Sequence, residues 1–300
     1  MSNHTKSFDI DLASFFKMLL KNWVLIFGIS AIFFLSAVAI SLNLQNKYIS
    51  KSILVSVDSS DQGGVNSLGS LAAVAGLGIS SSSGSKADEG IEIIKSFDFF
   101  RELDAKIMLS KDLLAATKWN EQTNNIIYNK QVFDFEKKSW ANSPPFNNSQ
   151  KRLLTAYEEY LDILTISKDS QTGFITLSIE FISPYLAESW IKEIVALINE
   201  TAREKELERT EKSIGYLYEQ ISQSYLSEVK QSLSNLIENQ TEKAMLAKAS
   251  PEYFFRVLNE PYAPIRKSWP PRLLMVILSS IMGFLAACTY ILMREYLKQK

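Results

Sequence analysis

Cysteine and histidine are nearly missing from this sequence of 300 residues, which holds one of each, Cys288 and His4. One thiol allows no disulfide framework and no cysteine metal site. One histidine, close to the N-terminus, removes most of the usual catalytic and metal-binding repertoire. Neither sign of charge dominates: 32 Lys and Arg oppose 33 Asp and Glu, for a net charge of -1. Without a basic stripe, nothing argues for a nucleic-acid partner. A phosphate cradle is also missing. The nearest approach, Gly78 to Lys86 (GISSSSGSK), has five residues between its glycines and places Ser85 before the lysine, so it is rejected as a nucleotide site. The carboxylate pairs Glu158/Glu159 and Glu204/Glu206 are one and two residues apart. Such neighbours do not face each other on a helix, so they make no glycosidase pair. These absences point away from an enzyme, a cofactor and a metal.

Charge vanishes altogether from two long runs. Asn22 to Asn46 is uncharged, and its apolar part, WVLIFGISAIFFLSAVAISLNL, is long enough to span a membrane. Leu273 to Met293 is a second such run, and as a helix it would measure about 32 Å against a hydrocarbon core of about 30 Å. A cleavable signal peptide is the rival reading of the first run, with Ala37-Val38-Ala39 as the cleavage-like site, but the apolar character continues to Leu44. Residues 1–21 read as a polar tail, with Phe8, Leu12, Phe15, Phe16, Leu19 and Leu20 on one helical face. That face fits either a surface helix or the start of the span.

The domain plan is a tail at 1–21, a first span at 22–44, a body at 45–272, a second span at 273–293 and a tail at 294–300. Both tails then lie on one side and about 230 residues on the other. The basic residues flanking the spans are nearly balanced and hardly decide the orientation.

The second span has a stiff lead-in. Pro261, Pro264, Pro270 and Pro271 precede it, and proline fixes φ and donates no hydrogen bond, so the segment is extended. Trp269 suits headgroup depth. These prolines and Trp269 are the candidate residues for coupling the body to the membrane and to a membrane partner. Within the span, Ser279-x-x-x-Gly283-x-x-x-Ala287 puts small residues on one face, which permits close contact with the first span or with a neighbouring chain.

Between the spans, alternation predicts a strand over Ser52–Val57, rising directly from the membrane at Tyr48. A Gly/Ser/Ala-rich connection with an apolar patch, Leu68 to Ile79, follows. Three- to four-residue spacing of Ile91, Ile94, Phe97, Leu103 and Ile107 predicts one helix from Asp88 to Met108, with Asp88 as N-cap. Residues 109–150 read as irregular with a short strand or two. Their aromatic islands, Trp119, Tyr128, Phe133, Phe135 and Trp140, read as core rather than as a sugar platform. A helix is expected over Lys151–Leu161, then a hairpin of Leu164–Ser167 and Gly173–Ile182 and a last strand at 253–259. Together these make a small α+β base.

Ser183-Pro184 is a favoured helix opening. Helix-forming composition continues to Ala249, broken only by Gly215, and Arg203 to Lys212 carries eight charges in ten residues. That run is either a solvated face or a set of inter-subunit ion pairs. One straight helix over 184–249 would be about 100 Å long. The 22 residues back to Arg272 reach at most about 75 Å. The arm must therefore fold back, near Gly215 or Ser222–Ser224, into a hairpin with legs of roughly 50 Å. Its narrow seam (Ile214, Leu217, Ile221, Tyr225, Val229, Leu233, Leu236) buries too little for a lone hairpin, so neighbouring subunits are expected against it.

These residues together resemble the Wzz polysaccharide co-polymerases, chain length determinant proteins of lipopolysaccharide O-antigen and related glycans. IDLASFFKMLLKNWVLIFGISAIF and KYISKSILVSV are similar to the family's opening helix, span and first strand. TGFITLSIEFISPYLAESWIKEIVALIN is similar to its strand-to-long-helix junction, and LSNLIENQTEKAMLAKASPEYFFRVLNEPYAPIRKSWPPRLL to its approach to the second span. Lys267 stands where the family usually has a proline, and the Gln45-Asn46-Lys47-Tyr48 stretch lacks another.

The resemblance implies an α+β fold with two transmembrane helices flanking a periplasmic domain, made of a membrane-proximal base and a long helical arm. It implies a bacterial inner-membrane location with cytoplasmic tails, and a ring-shaped homo-oligomer of about eight copies. Some relatives carry a tyrosine kinase. The short tails here, without a Walker motif, predict no fused kinase. The expected function is non-catalytic control of glycan chain length, exerted on an integral-membrane polymerase that extends a lipid-linked glycan. The alternative is an inner-membrane adaptor of a capsule or polysaccharide exporter.

Overall fold

The computed structural model describes residues 21–57 and 86–298, apart from 136 and 138. The readings of residues 1–20, the Gly/Ser/Ala-rich connection over 58–85, most of the Gly78–Lys86 stretch and the last two residues lie outside the described residues. In chain order the elements are α1 (Trp23–Asn43), β1 (Tyr48–Ser56), α2 (Lys86–Lys95), α3 (Phe97–Ile107), α4 (Leu109–Ala115), β2 (Ala116–Asn120) and β3 (Asn125–Tyr128). They continue with β4 (Phe133–Asp134), β5 (Ser139–Trp140), α5 (Ser149–Ile163), β6 (Leu164–Lys168) and β7 (Ile175–Phe181). The last are α6 (Pro184–Gln223), α7 (Ser227–Ala249), β8 (Phe255–Asn259) and α8 (Arg272–Lys298). The chain forms two compact units, Met1–Lys47 with Lys267–Lys300, and Tyr48–Arg266.

The larger unit is α+β. Its sheet has the order β6-β7-β1-β8 and is antiparallel throughout. Period-two patterning sets the faces. Ile175, Leu177, Ile179 and Phe181 of β7 are all buried, while the residues between them are only half-buried. On β1 the matching face carries Tyr48, Ser50, Ser52 and Leu54. The two buried serines keep their hydroxyls bonded, donating to the Tyr262 carbonyl and the Asn259 carbonyl at 2.8 Å each. The hairpin of β6 and β7 turns on Asp169, whose Oδ1 accepts from the Gln171 and Thr172 amides at 2.8 and 3.0 Å. Gly173 then takes φ 72°, which a side chain would resist.

α6 begins as its sequence dictates. Ser183 is extended, its Oγ accepts from the Leu186 amide, and Pro184 occupies the first turn. Ala187, Trp190, Ile191, Ile194, Leu197 and Ile198 are buried in the core, each worth about 1.5–3 kcal/mol for the larger side chains. Phe181 packs on Trp190 with ring centroids 4.5 Å apart. The opposite wall of the core comes from α2, α3 and α5, where Tyr160, fully buried, donates to the Ile94 carbonyl at 3.0 Å.

Asn199 fastens the return of the chain. Its Oδ1 accepts from the Phe254 and Phe255 amides at 2.8 and 2.9 Å, and its Nδ2 donates to the Phe255 carbonyl at 2.8 Å. All three groups are buried, so one side chain satisfies the backbone where the chain enters β8.

Four expectations are corrected. The helix expected over Asp88–Met108 is two helices. Ser96 caps the second, accepting from the Phe99 amide, and Met108 closes it in the left-handed region at φ 54°. Asp88 is not an N-cap, because α2 starts at Lys86; its carboxylate pairs with Lys168 at 2.8 Å instead. Residues 109–150 are more ordered than irregular, with α4 followed by the β2–β3 and β4–β5 hairpins. The aromatic islands there pack on one another. Phe133 meets Phe135 and Trp140 at 5.0 and 5.2 Å, Arg152 covers Trp140 at 4.6 Å, and Tyr128 donates to buried Asp112 at 2.7 Å. Burial and that carboxylate push the Tyr128 hydroxyl well above the usual tyrosine range. Finally, of the two places expected for the fold-back, Gly215 does not hold, since it lies inside α6, and Ser222–Ser224 does, since the arm turns at 224–226. Its legs are unequal, about 60 Å for α6 and about 35 Å for α7, because the first five turns of α6 belong to the base.

Beyond Ala202, only Thr210 and Ala247 are fully buried among the residues of the two arm helices. Ile214, Leu217, Ile221 and Leu233 are half-buried, whereas Tyr225, Val229 and Leu236 of the expected seam are exposed. The seam does close the hairpin, but with little of its apolar surface.

Candidate membrane-coupling site

The smaller unit is a pair of helices. α1 and the Arg272–Arg294 part of α8 are each long and apolar enough to cross a membrane, and both present large apolar side chains outward, among them Phe27, Ile32, Leu35, Leu274, Leu278 and Leu285. In water such surfaces would be costly; in hydrocarbon they are the solvated faces.

Apart from Ile291, the side chains buried in this unit's helix pair are small. Ala37 is 8 % exposed, Ser41 3 % and Ala287 0 %, and Gly283 is buried. The three small residues spaced by four on α8 play different parts. Ser279 Oγ donates to the Phe33 carbonyl of α1 at 2.9 Å. The same carbonyl also accepts from Ser36 Oγ at 2.9 Å. One turn on, Gly283 lies directly against α1: a methyl group there would sit 2.8 Å from Phe33 Cβ and 3.1 Å from Ser30 Cα. Glycine is therefore required by the close approach, not by its own backbone angle.

The pair is pinned at one end. Lys47 N–H donates to the Trp269 carbonyl at 3.0 Å, and the Lys47 carbonyl accepts from the Ser268 amide at 2.8 Å and Ser268 Oγ at 2.9 Å. Lys47 Nζ lies 5.8 Å from the centre of the Trp269 ring, a cation–π contact. Arg272 Nη2 donates to Asn46 Oδ1 at 3.0 Å. Since the end of α1 meets the start of α8 here, while Phe33 faces Ser279 and Gly283 farther along, the two helices run antiparallel.

Of the residues singled out by sequence, Trp269, Pro270, Pro271, Ser279, Gly283 and Ala287 fall in this unit; Pro261 and Pro264 fall in the other. Pro270 is buried and Pro271 exposed, Pro261 is buried and Pro264 half-buried. Asn46, Lys47, Ser268, Ser30 and Phe33 were not singled out. Lys47 carried a usable signal, since a cation a few residues past a span and a tryptophan just before the other span are natural partners at one depth. Among the described residues no group of His, Cys, Asp and Glu could hold a metal ion.

The chain thus combines two antiparallel candidate membrane spans, closed by small residues, with an α+β unit that bears a helical hairpin. Residues 9–117, from the N-terminal tail through α4, match the model of the Wzz family, chain length determinant protein. No curated protein matches the sequence. Among solved structures it is similar to a full-length bacterial polysaccharide co-polymerase, at 12% identity over 96% of this chain and 99% of that one, with TM-score 0.41. It is also similar to a fragment of WzzB, polysaccharide co-polymerase from Salmonella Typhimurium, at 10% identity over 75% of this chain and 100% of that one, with TM-score 0.29.

Proposed function

We propose that this chain is a Wzz-family protein, a non-catalytic regulator of polysaccharide length in a bacterial inner membrane. The Tyr48–Arg266 unit works in the periplasm, α1 and α8 span the bilayer, and several copies act together on an integral-membrane polymerase that extends a lipid-linked glycan such as O-antigen. The match of residues 9–117 to the chain length determinant family carries this reading. Two features support it. The arm leaves Tyr225 wholly exposed and Leu226, Val229 and Leu236 largely so, more apolar surface than a solitary hairpin keeps in water. In the smaller unit, Trp269 and Pro271 are exposed at the start of α8, open to a membrane partner.

The test is a silver-stained glycan ladder from cells with and without the intact gene. Loss of the modal cluster, leaving random short chains, is the expected result. An unchanged length distribution refutes the reading. Loss of all surface glycan with material trapped inside assigns the chain to export instead.

A further inference from the structure

At the root of the arm, the larger unit holds a cleft of about 280 Å³. α6 supplies Glu206 and Arg209, α7 supplies Lys243, the chain leaving α7 supplies Ser250 and Tyr253, and α2 supplies its first residue, Lys86. A second cavity of about 260 Å³ adjoins it, sharing Lys86, Glu206, Arg209 and Tyr253 and adding Lys205. Lys86 is held over the Tyr253 ring, 5.0 Å from its centre. Among the described residues, Lys205, Arg209 and Lys243 have no carboxylate within ion-pair distance, although ion pairs elsewhere on α6 close to 2.6 and 2.7 Å.

Three cations, Lys86, Arg209 and Lys243, therefore line the cleft, and a fourth, Lys205, lines its neighbour, in a chain whose overall charge is near zero. They are interleaved with acceptors: Glu206, Glu252, Ser250 and Tyr253 line the cleft, and Glu89 the neighbouring cavity. A compact anion such as inorganic phosphate meets those carboxylates as well as the cations and gains little. A sugar acid is different. Its carboxylate pairs with lysine or arginine, while its ring hydroxyls donate to carboxylates and exchange hydrogen bonds with serine and tyrosine. The volume lies just under the range of about 300–1,000 Å³ usual for small-molecule sites, which suits a sugar unit and not a bundled polymer.

We propose that this cleft binds an acidic sugar residue, of the hexuronic acid class, in a glycan passing along the arm. The inference rests on the polysaccharide reading above and names a ligand class for it. Arg209 and Lys243 make the charge contacts, and Lys86, fixed by Tyr253, makes the third.

The test uses the full chain in detergent micelles, titrated with trigalacturonic acid and followed by saturation-transfer NMR. Maltotriose and inorganic phosphate serve as comparison probes. Binding of the acidic trisaccharide is expected, weakening as salt is raised and weakening about tenfold or more in the double variant R209A/K243A. Both side chains are exposed, so the variant keeps the fold, which an unchanged melting curve verifies. Equal binding by variant and wild type overturns the proposal. So does equal binding of maltotriose, or displacement of the trisaccharide by equimolar phosphate. The two readings fail separately. A gene deletion that shifts glycan length, beside a variant that binds normally, removes the cleft and leaves length control standing. An unshifted ladder removes length control whatever the titration shows.

Discussion

Gly283 offers the sharpest perturbation. An added methyl would lie 2.8 Å from Phe33 Cβ and 3.1 Å from both Phe33 Cγ and Ser30 Cα. Carbon atoms rest at about 3.5–4.0 Å, so α1 and α8 must separate by roughly 0.7–1.2 Å at this level. Ser30 Cα is backbone, so rotating one side chain does not relieve the contact. The same displacement carries the Ser279–Phe33 hydrogen bond from 2.9 Å beyond the usual limit for a hydroxyl donor. Overpacking of this kind costs about 1–3 kcal/mol, and an interhelical hydrogen bond within a membrane about 0.6 kcal/mol. Gly283→Ala should therefore weaken the pairing by about 2 kcal/mol, roughly 30-fold, and Gly283→Leu by more. Gly28, on α1, is the matched control, since nothing lies within 4 Å of a methyl added there. The measurements are thermal unfolding of the purified full chain and the cellular glycan ladder, with membrane fractionation to show that each variant is inserted. Gly283→Leu should lower the melting temperature and shift the modal length, and Gly28→Leu should do neither. Identical behaviour of the two variants would refute the reasoning that α8 is seated on α1 through Gly283.

Two further outcomes follow from the larger unit. Asn199→Ala strands the Phe254 and Phe255 amides and the Phe255 carbonyl; at about 1–3 kcal/mol for a buried unsatisfied group, the loss should reach about 3 kcal/mol or more, and a drop in melting temperature under about 2 °C would contradict it. Asp169 is held below the usual carboxylate range by the Thr172 and Gln171 amides. A depressed folded pKa means that its contribution to the β6–β7 turn is present above the unfolded value, near 4, and is lost as pH falls through the lower, folded one. In NMR titrations the Gln171 and Thr172 amides should move only in that acid range, and a midpoint at the ordinary aspartate value would show that the carboxylate is not bonded in solution.

Sequence patterns read well wherever local chemistry decides. The β7 alternation, the Ser183-Pro184 opening of α6 and the two uncharged runs need no tertiary knowledge, and chain length alone requires the arm to double back. Failures cluster where distant contacts choose between local options. The α2–α3 break depends on Ser96, and the end of α3 on Met108 accepting φ 54°, neither of which apolar periodicity reveals. α4 was hidden by its brevity. The β2–β3 turn did carry a signal in its asparagines: Asn120 Oδ1 accepts from the Gln122 amide at 2.9 Å and Asn124 takes φ 50°. Asn199 looks like any polar residue on a helix, and only the return of the chain after α7 explains its burial. At the candidate site, spacing by four exposed Ser279, Gly283 and Ala287. Their counterparts Phe33 and Ser30 stayed invisible, since the register between segments so far apart is a property of packing.

The two fastenings of α1 to α8 constrain what a signal through this protein can be. One is the Lys47–Trp269 backbone pair with the Arg272–Asn46 hydrogen bond; the other is the Ser279–Phe33 contact with Gly283 beside it. Along α8 they stand seven residues apart, about 10 Å, and along α1 about 15–20 Å. A single contact would let the helices slide or roll past each other, whereas two contacts at different heights, one of them a backbone bridge, fix both register and rotation. The helices then move as one post, and both covalent connections to the larger unit, Lys47–Tyr48 and Arg266–Lys267, leave from its pinned end. Anything that displaces one helix of the pair therefore displaces the other, together with the outer face that carries Leu274, Leu278 and Leu285, and leaves the spacing of the two helices unchanged.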